Sequence, residues 1–164
     1  MLDKKIDDQT IRLTQLSHGG GCGCKVSPSI LREMLSKLPP QASQPELLLG
    51  FDKNDDAAVY KINQEQGVVA TTDFFMPIVD DPFEFGRIAA TNALSDVYSV
   101  GGSPIMALAI AGFPTKKMSV QQIQEILGGG AKACEDAVIP IAGGHPFDAP
   151  EPIYGLAAVG LVSV

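Results

Sequence analysis

Residues 18–25, HGGGCGCK, bring several reactive groups together in one short stretch of chain. The stretch holds a histidine, a lysine and two of the three cysteines among four glycines. Glycine is unfavourable inside helices and strands, so this cluster predicts a loop that bends sharply or approaches a ligand closely. Lys25 would stabilise a neighbouring thiolate and would also neutralise a phosphoryl group during its transfer. The loop is therefore a candidate working part of the protein.

Two familiar kinds of site fit this loop poorly. A zinc site would use His18, Cys22 and Cys24, but a fourth ligand is missing nearby and the two cysteines are closer than in structural zinc sites. A Walker-type P-loop requires glycine before its lysine and serine or threonine after it. Here Lys25 stands between Cys24 and Val26. The remaining alternative is a flexible lead segment without a chemical role.

Aspartates form the second candidate group. Asp55 and Asp56 follow a polar loop, and Asp73 ends a predicted strand. Asp96 lies on a predicted helix, on the same face as Asn92. Hard cations such as Mg²⁺ bind a few carboxylates together with substrate phosphates, so converging aspartates would favour a nucleotide site. Taken singly, each aspartate is equally explained as a cap, a turn residue or a solvated charge.

The segment AGGHPFDAPEP, which begins at Ala142, is the third unusual feature. Its paired glycines, with His145 beside them, would form either an anion-binding nest of backbone amides or a tight connection between strands. The sequence leaves both interpretations open. Cys134 falls on an apolar helical face and is predicted to be an ordinary buried thiol.

Composition narrows the function classes. The chain has 164 residues, 45% of them apolar, which suits one globular domain with a core. The net charge of -7 argues against nucleic acid or an anionic membrane as partner, since both require clustered Lys and Arg. The first ten residues resemble no signal peptide, and the longest apolar run is too short to span a bilayer. We expect a cytoplasmic protein, in which three cysteines would not form a disulfide framework.

Three helices are predicted from their starting signals. The Ser-Pro pair at residues 27–28 and the Asp-Pro pair at residues 81–82 each combine a cap with a proline in the first helical turn. A capping box at residues 119–122 begins the third helix. Three consecutive glycines, residues 128–130, predict either a break in this helix or a very close packing contact.

The strand pattern completes the fold prediction. A polar turn between residues 57–62 and 67–72 predicts a β-hairpin, which would bring Asp56 and Asp73 to one edge. Hairpins mixed with helices predict an α+β fold, in which helices cover one mixed or antiparallel sheet. Further strands are predicted at residues 104–113, 138–144 and 153–164.

Four sequence blocks together carry a family resemblance: LTQLSHGGGCGCKVSP, NDDAAVY, TTDFFMPIVDDPFEFGRIAATNALSDVYSVGG and AGGHPFDAPEPIYG. From Arg12 onward the chain resembles selenophosphate synthetase, also called selenide, water dikinase. The fold of that family resembles aminoimidazole ribonucleotide synthetase. The resemblance implies that ATP, hydrogen selenide and water react, with Mg²⁺, to give selenophosphate, AMP and orthophosphate. It also implies a homodimer.

The same resemblance implies roles for individual residues. Cys22 matches the catalytic cysteine and Lys25 the essential lysine, which contacts the nucleotide, whereas Cys24 looks dispensable. Asp56 and Asp96 match magnesium ligands, and a further magnesium aspartate of the family would lie beyond residue 164. The remaining matches are to residues that contact ATP: Lys53, Asn54, Asp55, Asp73, Asp96, Gly144, His145 and Pro146.

One of these matches departs from the family pattern. The segment with Gly144 and His145 resembles one that reaches ATP across a dimer interface, and members often have a serine after the histidine. Here Pro146 removes a backbone donor and a hydroxyl, which puts contact at that position in doubt.

The resemblance also implies a division of the chain into parts. Residues 1–26 would be a flexible segment rich in glycine and cysteine, and residues 27–164 an ATP-binding and dimerisation domain. The pattern ends in mid-strand, so we expect a second, C-terminal domain that this chain lacks.

Two other functions compete with this one. A sister ATP-dependent synthetase of the same fold would form an iminophosphate or acyl phosphate, and it would not need a thiol loop. A nucleotide-binding dimerisation module without catalysis would also fit a chain that lacks half of the expected enzyme.

Overall fold

The computed structural model describes residues 12–20, 26–37, 44–50 and 56–164. Within these residues one six-stranded sheet packs against helices, which confirms the predicted α+β fold. A short 3₁₀ turn, Leu13–Leu16, precedes these elements. The strands are β1 (Leu47–Leu49), β2 (Ala57–Lys61), β3 (Gln66–Phe75), β4 (Ser103–Phe113), β5 (Ile141–Asp148) and β6 (Ile153–Ser163). The helices are α1 (Pro28–Ser36), α2 (Pro82–Ser99) and α3 (Val120–Asp136).

The strands lie in the order β1-β2-β3-β6-β4-β5. All neighbours are antiparallel except β4 and β5, so the predicted mixed sheet is correct. The predicted hairpin is formed by β2 and β3, with Ala57 opposite Thr71. This register brings Asp56, at the start of the hairpin, beside the end of β3.

Each helix begins at its predicted signal. Pro28 and Pro82 are the first residues of α1 and α2, and Asp81 caps α2 by accepting a hydrogen bond from the backbone of Glu84. The predicted capping box of Ser119 and Gln122 begins α3. Among the described residues, no helix is both long and apolar enough to cross a membrane.

Helix α2 covers one face of the sheet. Along β3 the side chains alternate, so Val69, Thr71 and Asp73 are buried on this face while Phe74 is exposed on the other. Ala89, Ala90 and other small residues of α2 are also buried. Their size lets the helix axis approach the sheet closely. The core between these layers includes Phe85, Val97, Tyr154 and Leu156.

The sheet extends further than the sequence predicts. Residues 145–148, predicted to lie in a turn or connection, belong to β5, which runs parallel to β4 at the edge of the sheet. An edge strand tolerates Gly and Pro because one side of its backbone needs no ladder partner. Pro146 is accommodated for this reason, and the prediction of a turn here is wrong.

Two of the three glycines of α3, Gly129 and Gly130, make close contacts, and none of the three breaks the helix. Helix α3 is continuous across them, which excludes the predicted break and confirms the alternative of close packing. A Cβ atom on Gly129 would overlap the backbone oxygen of Phe83, and one on Gly86 would overlap that of Ile126. Gly130 lies equally close to the ring of Tyr154. Helices α2 and α3 therefore touch backbone to backbone.

We predict that Gly129→Ala lowers the free energy of unfolding by about 1–3 kcal/mol, because the new methyl group meets backbone that has no room to move. Gly128→Ala is the matched control, since its Cβ would lie 3.8 Å from the Phe83 ring, an ordinary contact. This control is expected to gain up to about 1 kcal/mol from helix propensity. Urea unfolding of both variants is the measurement, and equal stability would contradict the packing argument.

Candidate functional site

The site is built on two hydrogen bonds between β3 and α2. The hydroxyl of Thr71 donates to Oδ2 of Asp96 at 3.0 Å, and Nδ2 of Asn92 donates to Oδ2 of Asp73 at 2.5 Å. Thr71 and Asp73 are 5% and 7% exposed. The predicted common face of Asn92 and Asp96 is therefore the face that meets β3.

The spacing of these two bonds follows from backbone geometry. Two residues of a strand span about 6.6 Å, which separates Thr71 from Asp73 on one face. Four residues of a helix rise about 6 Å, which separates Asn92 from Asp96. The two lengths nearly match, so a helix running antiparallel to the strand can form both bonds at once.

Thr71 also connects α2 to the start of β2. Its hydroxyl lies 2.7 Å from the backbone oxygen of Asp56 as well as within hydrogen-bond distance of Asp96. A hydroxyl carries one proton, so the two acceptors share one donor. Asp56 and Asp96, which are forty positions apart in the sequence, thus meet at one side chain, and Asp73 lies two residues further along the strand.

The donor chemistry at this position suits Mg²⁺. Mg²⁺ prefers oxygen ligands and usually takes one or two carboxylates together with substrate phosphates. In the described part of the chain, no group of three or more His, Cys, Asp or Glu side chains is arranged to hold a metal. Lys53, Asn54 and Asp55 lie outside the described residues.

The candidate loop is described up to Gly20. Cys22, Cys24 and Lys25 lie outside the described residues. Before them, Leu13 is fully buried in the core, and the backbone and hydroxyl of Thr14 donate to Asp80. These bonds hold the pKa of the Asp80 carboxyl below its ordinary value.

His18 is fixed by a carboxylate from another part of the chain. Its Nδ1 lies 2.7 and 2.8 Å from the two oxygens of Glu151, and its backbone amide donates to Oε2 at 3.2 Å. The hydrogen bond from His18 is the main cause that lowers the pKa of Glu151. Because an ionised carboxylate only accepts, the proton of the side-chain bond lies on Nδ1.

His145 of β5 does not join this cluster within one chain. His145 pairs with Ile110 and packs on Phe147 with ring centroids 5.9 Å apart. Ile110 in turn pairs with Gly155 of β6, and Gly155 pairs with Phe74 of β3, so these residues form one row across the sheet. The side chain of Phe74 points away from α2. His145 therefore lies on the opposite face of the sheet from Asp73. Gly144 and Pro146 flank it on the same edge strand.

Two buried groups near α3 lie outside the cluster. Cys134 is buried as predicted, and burial raises the pKa of its thiol. Burial also raises the pKa of Tyr154 to about 12. Among the described atoms its hydroxyl has no hydrogen-bond partner, because it lies against the backbone of Gly130.

Two residues of the site were not among the predicted ones. The sequence could have indicated Thr71, because a residue two positions before Asp73 in a strand lies on the same face of the sheet as Asp73. No such indication existed for Glu151, because it is 133 positions from His18 and only the folded sheet brings the two together.

Comparison with curated proteins confirms the resemblance. The chain is similar to the selenide, water dikinase of Burkholderia pseudomallei, with 60% identity over 159 residues, 97% of this chain and 45% of that protein. It is 58% identical over 154 residues to the selenide, water dikinase of Pseudomonas aeruginosa, covering 94% and 45% of the two chains. The chain thus spans about half the length of the curated relatives it matches.

Solved structures with this fold are more distant in sequence. Thiamine monophosphate kinase from Aquifex aeolicus has a TM-score of 0.56 at 20% identity, over 92% of this chain and 44% of that one. PurL from Thermotoga maritima, complexed with AMPPCP, has a TM-score of 0.63 at 18% identity, over 85% and 24%. These similarities support the fold.

A family model decides the membership. The model described as AIR synthase related protein, N-terminal domain, matches residues 54–162. That range contains the helices α2 and α3 and the strands β2 to β6, apart from the last residue of β6. It therefore contains the whole β3–α2 site. The chain therefore belongs to the AIR synthase related protein family and contains its N-terminal domain.

Proposed function

We propose that this chain is the N-terminal part of a cytoplasmic selenide, water dikinase. The enzyme transfers one phosphoryl group of ATP to hydrogen selenide and a second to water, so the products are selenophosphate, orthophosphate and AMP. The relatives at about 60% identity carry this name, and solved structures of the fold include a complex with AMPPCP.

The observation that carries the proposal is the arrangement of three aspartates. Thr71 lies within hydrogen-bond distance of both the backbone oxygen of Asp56 and the carboxylate of Asp96, and Asp73 lies two residues further along the same strand. These are the positions that the sequence resemblance relates to metal and nucleotide binding. A protein with a net charge of -7 needs such an arrangement, with a cation, to bring a triphosphate to its surface.

In this proposal the chain supplies position and charge. Asp96 and Asp56 would hold Mg²⁺ with the phosphates, and Asp73 would orient the nucleotide from β3. The cation held there would supply positive charge that offsets the charge on the transferring phosphoryl group. Lys25 meets the γ-phosphate from the loop side, and the residues 53–55 contribute to the nucleotide-binding loop.

Cys22 has the separate task of handling selenium. As a thiolate it would take the proton of hydrogen selenide, whose selenium atom then bonds to the γ-phosphorus of ATP while the bond to the leaving ADP breaks. This task explains why the loop contains thiols that phosphoryl transfer to water alone would not need.

We also propose that the enzyme is a homodimer through the sheet face opposite α2, the uncovered face, on which no helix packs in the described part of the chain. This face is apolar, with Leu108 41% and Phe74 47% exposed. Tyr60 adds to it, at 44%. Exposed apolar patches of this kind mark interaction sites, and a second copy presents the same surface to this one.

The position of His145 supports the same arrangement. The row that runs from Phe74 through Gly155 and Ile110 to His145 spans three strand spacings, about 14 Å. His145 is therefore far from Asp73 and on the other face. If Gly144 and His145 contact ATP, the nucleotide belongs to the other copy.

The first prediction for this function concerns the products. With the full-length protein, ATP and Mg²⁺ under anaerobic conditions, phosphorus NMR is expected to show selenophosphate, AMP and orthophosphate only when hydrogen selenide is present. ADP and phosphate formed regardless of selenide would instead indicate a sister synthetase. Dimerisation and Mg-ATP binding without any product would indicate a non-catalytic module.

A second prediction separates the two halves of the site. Cys22→Ser is expected to abolish selenophosphate formation while sparing ATP binding. Asp96→Asn is expected to weaken Mg-ATP binding roughly tenfold or more, because one charged contact contributes about 1.5–3 kcal/mol. Asp136→Asn is the control, since Asp136 pairs with Lys132 on α3. Calorimetric titration measures binding, and loss of binding in Cys22→Ser would contradict the proposed roles.

A third prediction tests the dimer. Leu108→Arg places a charge on the uncovered face, and the protein is expected to sediment with half the mass of the unaltered protein. Leu127→Arg is the control, because Leu127 is similarly exposed, at 39%, but lies on α3. Sedimentation equilibrium of both variants is the measurement. A Leu108→Arg protein that stays dimeric would exclude this face as the interface.

A further inference from the structure

The segment 12–20 is held at several points against the end of the sheet where β3 ends and β6 begins. Leu13 is buried in the core, and Thr14 bonds to Asp80 in the β3–α2 connection. Further along, Gly20 lies so close to the backbone oxygen of Pro77 that a Cβ atom there would be 2.8 Å away. The bidentate contact between His18 and Glu151 lies between these points.

Glu151 stands on a stiff part of the chain. Its neighbours Pro150 and Pro152 restrict the backbone, and Pro152 is fully buried. Ala149, also buried, donates its amide hydrogen to the carbonyl of Phe113 at the end of β4. Glu151 therefore holds its carboxylate at a fixed place beside the start of β6.

The electrostatics favour an ionised Glu151. The hydrogen bond from His18 lowers its pKa most, and Lys117 adds a smaller lowering. The side chain of Glu151 is 27% exposed and that of His18 is 78% exposed. A side-chain contact as exposed as this contributes little to stability, so we look for its role in the position of the segment that contains His18.

The segment leads directly into the candidate loop. Gly20 precedes Cys22 by two residues and Lys25 by five. Each residue extends the chain by at most about 3.8 Å, so the place of Gly20 limits where both groups can act. Pro77 and Ile78, which contact Gly20, follow Asp73 along the same strand exit.

We propose that Glu151 is a positioning residue, which holds His18 so that the loop with Cys22 and Lys25 starts at a fixed distance from the β3–α2 aspartates. This inference rests on the proposed function for its effect on catalysis. The fastening of the segment itself is independent of that function.

The test compares Glu151→Gln with Glu135→Gln in the full-length protein. Glu135→Gln makes the same change and also removes an exposed ion pair, with Lys132 at 3.1 Å, but lies on α3. We expect Glu151→Gln to lower kcat for selenophosphate roughly ten- to a hundredfold, since misplacement by about 1 Å has effects of this size. Its KM for ATP and its melting temperature are expected to match those of Glu135→Gln.

Two further readouts identify the cause. Amide hydrogen exchange of residues 14–20 is expected to accelerate in Glu151→Gln and not in the control. In a double-mutant cycle, His18→Gln is expected to add little to the kcat defect of Glu151→Gln, because both substitutions break one contact.

The outcomes are distinguishable. A kcat for Glu151→Gln within twofold of wild type, or fully additive effects of the two substitutions, would overturn the positioning role. Unchanged exchange of residues 14–20 would overturn the fastening by Glu151. A wild-type protein that makes no selenophosphate would overturn the proposed function and the catalytic role of Glu151 with it, while the exchange data would still decide the fastening.

Discussion

The match in spacing between a strand and a helix is the constraint on which the candidate site depends. Thr71 and Asp73 are two residues apart on β3, and Asn92 and Asp96 are four residues apart on α2. The distance between the two residues of each pair, measured along its strand or helix, is close to 6 Å. A shift of the helix by one turn would break both hydrogen bonds together and would separate Asp96 from Asp56. The geometry of the site therefore depends on the position of α2 on the sheet.

Small residues on both sides of α2 fix the position of this helix on the sheet. Ala89 and Ala90 face the core, and Gly86 faces α3, where it meets the backbone of Ile126. Backbone contact leaves α2 no freedom to slide, because no flexible side chain lies between the helices at that point. The glycines of α3 thus act at a distance on the aspartates, through the position of one helix.

Local signals predicted most of the fold. Proline and cap residues placed the starts of α1, α2 and α3, and the polar turn placed the β2–β3 hairpin, because each of these features is decided by neighbours in sequence. The extent of β5 was missed, since its glycines and Pro146 are tolerated only at a sheet edge. The three glycines of α3 left two alternatives open because the deciding partner, Phe83, belongs to another helix. The His18–Glu151 contact had no local signal at all.

The kind of donor that holds each aspartate bears on what the site is for. Thr71 and Asn92 are neutral, so their hydrogen bonds orient the carboxylates of Asp96 and Asp73 without cancelling their charge. A lysine or arginine in their place would hold the carboxylates as well but would compete with any cation. Glu151 shows the opposite arrangement, since its ionised carboxylate is engaged through both oxygens by His18. The first pattern orients a carboxylate through neutral donors, whereas the second uses an ionised carboxylate to fasten the chain. The proposed function, which places Mg-ATP at this site beside a loop that must be held, needs both.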